Sequence, residues 1–243
     1  MKVHKIFLLL TSLFLLAGCD MFKLDNFEAP NASLKGGIKD ELTGELVGTD
    51  IQSGSTIRAK ELGWAEGGIM TWVVKQSGEF QNDMVFAGRY SLDFYDCNFF
   101  PFQIDEFVIK KGENLNDFQV TPYIRIKDAS ITKQGDQIVA TFRLQAGKPE
   151  VRLSAVRLYA YSDMYVGEIV KYSITGPAYQ TFSPAIIIDE STTYTLNIDI
   201  PSNTNEFFKY TGRNYYFRVG ALASVSNVGT VRNNYSPLIV IQF

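Results

Sequence analysis

A pyranose ring offers an apolar face and a rim of hydroxyls, so a protein that holds one needs a flat aromatic side chain in an accessible loop with Asn, Asp, Gln or Arg beside it. Three stretches place such residues together. Trp64 lies in Leu62-Gly63-Trp64-Ala65-Glu66-Gly67-Gly68, a glycine-rich loop where it is either a sugar platform or a plug at a sandwich end. Asp96-Cys97-Asn98-Phe99-Phe100-Pro101-Phe102 sets Asn98, Phe99 and Phe100 before a proline, as a ligand groove or as an apolar hinge between two domains. Arg232, Asn234 and Tyr235, with Asn227 and Asn233, occupy the loop before the last apolar run, either a binding loop or a solvated one. Tyr161, Tyr165 and Tyr172 are similar, weaker candidates, whereas Trp72 alternates with Met70 and Val74 and reads as core.

Met1 to Lys5 is basic through Lys2 and Lys5, and the apolar run Ile6 to Ala17 follows, ending in small residues. That is the pattern of an export signal. At 12 residues the run is shorter than the roughly 20 that cross a bilayer as a helix. Leu16-Ala17-Gly18-Cys19 closely resembles the bacterial lipobox. The resemblance implies cleavage before Cys19, a diacylglycerated Cys19 thiol and an acylated new amino terminus. Two or more chains, at about 0.8 kcal/mol per buried CH2, make a lasting anchor.

That cut bears on catalysis. The single histidine, His4, falls in the removed segment, so the mature chain has no imidazole to act as base, proton shuttle or metal ligand. Cys19 goes to lipid and Cys97 is left alone, which excludes an intramolecular disulfide and a multi-cysteine zinc site. No Gly-x-Ser-x-Gly elbow and no phosphate-binding glycine loop is present. A glycosidase needs only two carboxylates, but 26 acids make accidental pairs certain and none stands in a distinctive setting. The expectation is a protein that is not an enzyme, with no catalytic residue, metal or cofactor. Without Lys2 and Lys5 the 23 basic residues fall to 21 against 26 acids, which argues against a nucleic-acid partner.

The elements that must position the candidates are strands. Ala32, Leu34, Gly36 and Ile38 alternate with Ser33, Lys35 and Lys39, and a turn follows at Asp40-Glu41-Leu42-Thr43-Gly44. Further strands are predicted at Ser55 to Leu62, Ile69 to Gln76, Tyr90 to Tyr95 and Phe102 to Lys110, with glycine turns between them. Pro122 breaks the pattern. Seven more candidates follow at Tyr123 to Lys127, Gln137 to Gln145, Ala155 to Tyr161, Ile186 to Ile188, Tyr194 to Ile200, Tyr215 to Ala221 and Pro237 to Phe243. The chain is therefore expected to be all-β, with two antiparallel β-sandwich domains. The expected boundaries are a signal peptide at 1–18, a lipidated tether at 19–31, a first sandwich at 32–121 and a second at 122–243.

Gly37-Ile38-Lys39-Asp40 with Thr43-Gly44-Glu45, Gly78-Glu79-Phe80 and Ala87-Gly88-Arg89-Tyr90-Ser91-Leu92 resemble the marks of carboxypeptidase-regulatory-like domains, which implies a transthyretin-like first sandwich. Leu46 stands where that pattern often has proline. Thr211-Gly212-Arg213-Asn214-Tyr215-Tyr216-Phe217-Arg218-Val219-Gly220-Ala221 resembles strand F of fibronectin type III domains. In that register Tyr215, Phe217, Val219 and Ala221 face inward, Tyr216, Arg218 and Gly220 outward, and Tyr215 is a tyrosine-corner residue bonded to upstream backbone.

The combination of lipobox, tether and two sandwiches resembles a Bacteroidetes lipoprotein family of unknown function, often encoded beside Sus-like glycan-uptake systems. The resemblance implies an outer-membrane, lipid-anchored location, and the expected face is the cell surface, with the periplasmic face as the alternative. It also implies glycan as ligand, and a TonB-dependent transporter with its glycan-binding lipoprotein as partners. The competing expectation is a structural or adhesive lipoprotein that meets a protein partner by strand addition at a sheet edge.

Overall fold

The computed structural model describes residues 28–63, 67–174, 176–204 and 207–243. Cys19 and the rest of the leader, and Trp64, lie outside the described residues. The fold is all-β, in two sandwiches with two separate cores.

The first sandwich is built from β1 (Ala32–Asp40), β2 (Thr56–Glu61), β3 (Ile69–Val73), β4 (Glu79–Val85), β5 (Gly88–Phe94), β6 (Phe102–Ile109), β7 (Gly112–Leu115) and β8 (Phe118–Val120). One sheet has the order β4-β1-β7 with β8 also on β1, and the other has β3-β2-β5-β6. Side chains at every second position fill the space between the sheets: Leu34 and Ile38, Ile57 and Ala59, Tyr90, Leu92 and Phe94 are all at most 1% exposed. Trp72 joins them and leans on Tyr90, as its alternation predicts.

Two features depart from the expected arrangement. β1 pairs in parallel with β7 and β8, because the chain returns from β6 across the sandwich and runs beside its own first strand. β4 occupies a stretch for which no strand is predicted. Only Phe80 and Val85 of Glu79-Phe80-Gln81-Asn82-Asp83-Met84-Val85 are buried, so this edge strand carries little periodic apolar signal.

The second sandwich contains β9 (Ile124–Gln134), β10 (Gln137–Ala146), β11 (Arg152–Tyr161), β12 (Tyr179–Ile187), β13 (Tyr194–Asp199), β14 (Asn214–Ser224), β15 (Asn234–Tyr235) and β16 (Ile239–Gln242). Its sheets are β13-β10-β9 and β12-β11-β14-β15, with β16 also on β14. Tyr215, Phe217, Val219 and Ala221 are at most 1% exposed, as the register predicts. The Tyr215 hydroxyl donates to the Tyr210 carbonyl and accepts from the Tyr210 amide, both at 3.3 Å, closing the expected corner. β12 is longer than the predicted Ile186 to Ile188, since it is an exposed edge strand with no alternation to reveal it.

A bulge in β11 decides what the outer face of this sandwich presents. The ladders to both neighbours slip between Leu153 and Ala155. Leu153 is buried in the core, yet beyond the slip Val156, Leu158 and Ala160 point inward, so Arg157 and Tyr159 turn out. Arg157 then stands opposite Tyr179 on β12 and Gly220 on β14.

Residues 31–243 cluster as one compact unit, because the outer face of β14 is covered by the first sandwich. Arg218, expected outward, is 2% exposed: its Nη1 donates to the carbonyls of Thr49 (3.2 Å) and Val166 (3.1 Å). Asp40, at the end of β1, takes a two-pronged bond from Arg125 of β9, at 2.5 and 2.7 Å.

Candidate functional site

Of the residues proposed for ligand contact from sequence, Asn98, Phe99, Asn234 and Tyr235 converge on the join between the sandwiches, but in different roles. Asn98 is fully buried. Its Nδ2 donates to the Gly48 (2.7 Å) and Asn233 (3.1 Å) carbonyls and its Oδ1 accepts from the Ser55 hydroxyl (3.0 Å). Asn234, 3% exposed, answers it: Nδ2 donates to the Asn98 carbonyl (2.8 Å) and Oδ1 accepts the Ile124 amide (3.0 Å). With every side-chain polar atom committed within the protein, the two amides lock the domains together and leave nothing for a ligand. Phe99 is likewise fully buried against Phe94 and Phe102. For Asn98, Asn234 and Phe99 the structure thus overturns the ligand-contact role; the hinge alternative describes the stretch of Asn98 and Phe99, and Asn234 is buried rather than solvated.

Phe100 is half-buried, edge-on to Tyr123 and under the Lys148 ammonium at 4.0 Å, on the wall of a small polar depression. Arg232 and Tyr235 reach solvent-connected space. Cys97 is buried, and burial pushes its thiol up to about 12, which makes it a packing residue and a poor nucleophile.

Tyr235 belongs to a node on which two pockets converge. Its hydroxyl donates to the Asp50 carboxylate and accepts the Glu168 amide at 3.0 Å, and that amide also reaches Asp50 at 2.9 Å. The Arg218 guanidinium lies 3.8 Å from the centre of the Tyr235 ring. Burial raises the Asp50 carboxyl above the usual range despite these donors and the Arg218 charge. Burial also lowers Arg218 to about 10, which leaves it charged at neutral pH. Glycines permit this packing. A Cβ on Gly220 would sit 2.5 Å from the Tyr159 ring and 3.0 Å from the Tyr235 ring, and one on Gly167 would sit 1.8 Å from an Asp50 oxygen.

On one side of the node is a cleft of about 940 Å3 between the sandwiches. Leu46, Ile51, Met164, Tyr165 and Leu238 give it apolar surface, and Lys75, Gln76, Lys127 and Gln145 give it polar groups. Tyr165 is 45% exposed. The Gln76 amide nitrogen donates to the Met164 carbonyl at 2.7 Å, which turns its oxygen away from that bond. Gln76 Oε1 and Gln145 Oε1 are buried acceptors with no partner. On the other side, a pocket of about 230 Å3 lies over the outer face of β11, lined by Asp50, Arg157, Tyr159, Glu168, Tyr179 and Arg232 among others.

The cleft suits a ligand with an apolar face and hydroxyl donors. Tyr165 was legible as a weak candidate, being a tyrosine in a polar loop. Gln76, Gln145, Arg157 and Tyr179 were not singled out. Arg157 and Tyr159 had a signal in the alternation Ala155 to Tyr161, whereas Gln76 and Asp50 become site residues only because the sandwiches fold against each other. Among the described residues no group of three or more His, Cys, Asp or Glu could hold a metal ion.

Comparison with known proteins gives two family matches. Residues 32–121 match the model described as a protein of unknown function (DUF3823) N-terminal domain, and residues 124–238 match the domain of unknown function DUF3823_C. No curated protein matches the sequence significantly. A crystal structure from Bacteroides uniformis, described as "a putative carbohydrate binding protein", shares 48% identity with a TM-score of 0.84, over 88% of this chain and 100% of that one. A DUF3823 protein from Bacteroides ovatus shares 22% identity with a TM-score of 0.68, over 87% and 98% of the two chains. One from Parabacteroides merdae shares 19% with a TM-score of 0.67, over 88% and 100%. With both of its domains matched end to end, this chain belongs to the DUF3823 family.

Proposed function

We propose that the protein is a non-catalytic, lipid-anchored glycan-binding protein whose ligand lies in the cleft against Tyr165. The observation that carries the binding reading is the balance of hydrogen-bonding groups there. An exposed aromatic ring stands among apolar side chains, and two buried amide oxygens, on Gln76 and Gln145, lack donors. A buried acceptor without a donor costs about 1–3 kcal/mol, and a sugar hydroxyl is a donor of the right size. The 48% identical relative from Bacteroides uniformis, described in carbohydrate-binding terms, supports the same reading.

The non-catalytic part rests on the mature chain having no histidine and one buried thiol. Isothermal titration of the purified protein with neutral and acidic polysaccharides tests binding. Hydrolysis abolished by one carboxylate substitution would replace the reading with an enzymatic one.

The anchor is Cys19, the location the outer membrane with display at the cell surface, and the working partners a Sus-like TonB-dependent transporter and its glycan-binding lipoprotein. The lipobox-like Leu16-Ala17-Gly18-Cys19 motivates this. Radiolabelled palmitate is expected in the wild type and absent from Cys19→Ala. Label that persists in the variant refutes the anchor, and failure to co-purify a transporter from crosslinked membranes refutes the partnership.

A second reading, docking of a protein strand, has one observation in its favour. β3 is an edge strand on which Ile69, Met70 and Val73 are 58%, 40% and 54% exposed. Under that reading Val73→Lys abolishes partner capture and Tyr165→Ala leaves it intact.

A further inference from the structure

The smaller pocket carries a hydrogen-bonding balance opposite to that of the cleft. Its unpartnered buried atoms are donors: Arg157 Nε and Arg232 Nε both lack a hydrogen-bond partner. Every other charged group at this place is committed. Glu168 accepts from the Tyr159 hydroxyl and from Lys171 at 2.9 Å. Burial pushes the Glu168 carboxyl up, but these donors outweigh it and hold it below the usual range, so it stays ionised against its own cation. Asp50 is taken up by Tyr235, the Glu168 amide and the nearby Arg218 charge.

Two arginines therefore line a pocket whose carboxylates already have partners, while the Arg157 guanidinium lies over the 40%-exposed Tyr179 ring, 3.9 Å from its centre. A planar guanidinium matches the two-oxygen edge of a carboxylate or sulfate, an Nε without a partner leaves that fork uncommitted, and the cation–π contact with tyrosine holds it in place. The volume, about 230 Å3, is below the roughly 300–1,000 Å3 of pockets that engulf drug-sized ligands, so it takes a single sugar unit.

We propose that this pocket binds one acidic sugar residue, bearing a carboxylate or a sulfate, through the guanidinium groups of Arg157 and Arg232, with Tyr179 holding the Arg157 fork in place. The proposal rests on the glycan-binding reading above and narrows its ligand class. Since the mature chain is net acidic, diffuse attraction does not stand in for the site.

Affinity electrophoresis and titration calorimetry with polygalacturonate, its fully methyl-esterified form, chondroitin sulfate, its desulfated form and a neutral glucan test it. At least one acidic polymer is expected to bind, with its neutralised counterpart at least about tenfold weaker. Arg232→Gln and Arg157→Lys should each lose at least about tenfold for the acidic polymer, because lysine keeps the charge and loses the fork. The melting temperature of the Arg232 variant should match the wild type. Equal binding of acidic and neutralised polymers, or wild-type affinity in both variants, overturns the acidic-sugar proposal while glycan binding stands. No binding of any polymer overturns both. Binding of uronate alone or sulfate alone identifies the source of the anion and supports the site.

Discussion

Arg218→Ala is expected to cost about 3–5 kcal/mol at pH 8, the range for removing one member of a buried charge cluster. Arg218 lies at the centre of β14, 2% exposed, and three things depend on it. The Thr49 and Val166 carbonyls lose their donor, the Tyr235 ring loses the guanidinium above it, and Asp50 keeps a buried charge with less to offset it. For a unit of this size the melting temperature should fall by roughly 6–20 °C.

The deficit should also depend on pH in a predictable sense. The Asp50 carboxyl is raised in the folded state, so its contribution to stability is fully present below its unfolded value and is lost as pH rises through the folded one. Removing the Arg218 charge raises it further. The variant should therefore approach the wild type near pH 4 and diverge toward pH 8. Denaturant melts at both values check this, and a pH-independent gap would place the loss in packing alone.

Arg125→Ala is expected to be comparably severe, with a deficit that likewise shrinks in acid although its carboxylate is shifted the other way. Asp40 and Arg125 have side chains only 6% and 10% exposed, and their bond ties the end of β1 to β9. Burial alone would raise the Asp40 carboxyl. The Arg125 bonds, the Leu42 amide and the Arg125 charge outweigh that and hold it below the ordinary range.

A depressed acid contributes stability that is present above its unfolded value and lost as pH falls through the folded one, so the wild-type junction should weaken below about pH 4. Breaking the pair from one side should cost about 3–5 kcal/mol near neutrality and progressively less in acid. Asp40→Asn combined with Arg125→Ala should recover part of the loss, because no lone charge remains buried. A double variant no better than Arg125→Ala would contradict this account.

These two clusters show where sequence reasoning reached and where it stopped. Local alternation revealed β1, β5, β10 and β14 because alternate apolar side chains of each pack into one core, and the Tyr215 corner was legible because its partner, Tyr210, is five residues away. β4 and β12 were missed or shortened because edge strands bury little and so carry no period.

The site was harder to see for a different reason. Asn98 and Asn234 look like ligand-binding amides in any loop, and only the approach of the two domains turns the Asn98 donor onto the Asn233 carbonyl and the Asn234 donor onto the Asn98 carbonyl. Gln76 is 88 residues from its partner Met164, and Arg218 is 169 from Thr49, separations at which a one-dimensional pattern says nothing. Arg157 is intermediate. Its outward direction is local, but the β11 bulge that sets it is visible only in the ladders.

The two pockets then suggest how one ligand could be read twice from a single rigid node. Under the two proposals, the unpartnered oxygens on Gln76 and Gln145 would select hydroxyls on the cleft side, and the unpartnered Nε groups on Arg157 and Arg232 would select acceptors on the other. Tyr235, Asp50 and the Glu168 amide join the two sides through short hydrogen bonds.

The most direct test of the central claim is calorimetric titration of a glycan that binds the wild type against Tyr165→Ala. Tyr165 makes the cleft's exposed aromatic surface, so its removal should spare the melting temperature and lower affinity by about tenfold or more, the worth of burying one large ring. Unchanged affinity in Tyr165→Ala, with the fold intact, would contradict the placement of glycan in this cleft.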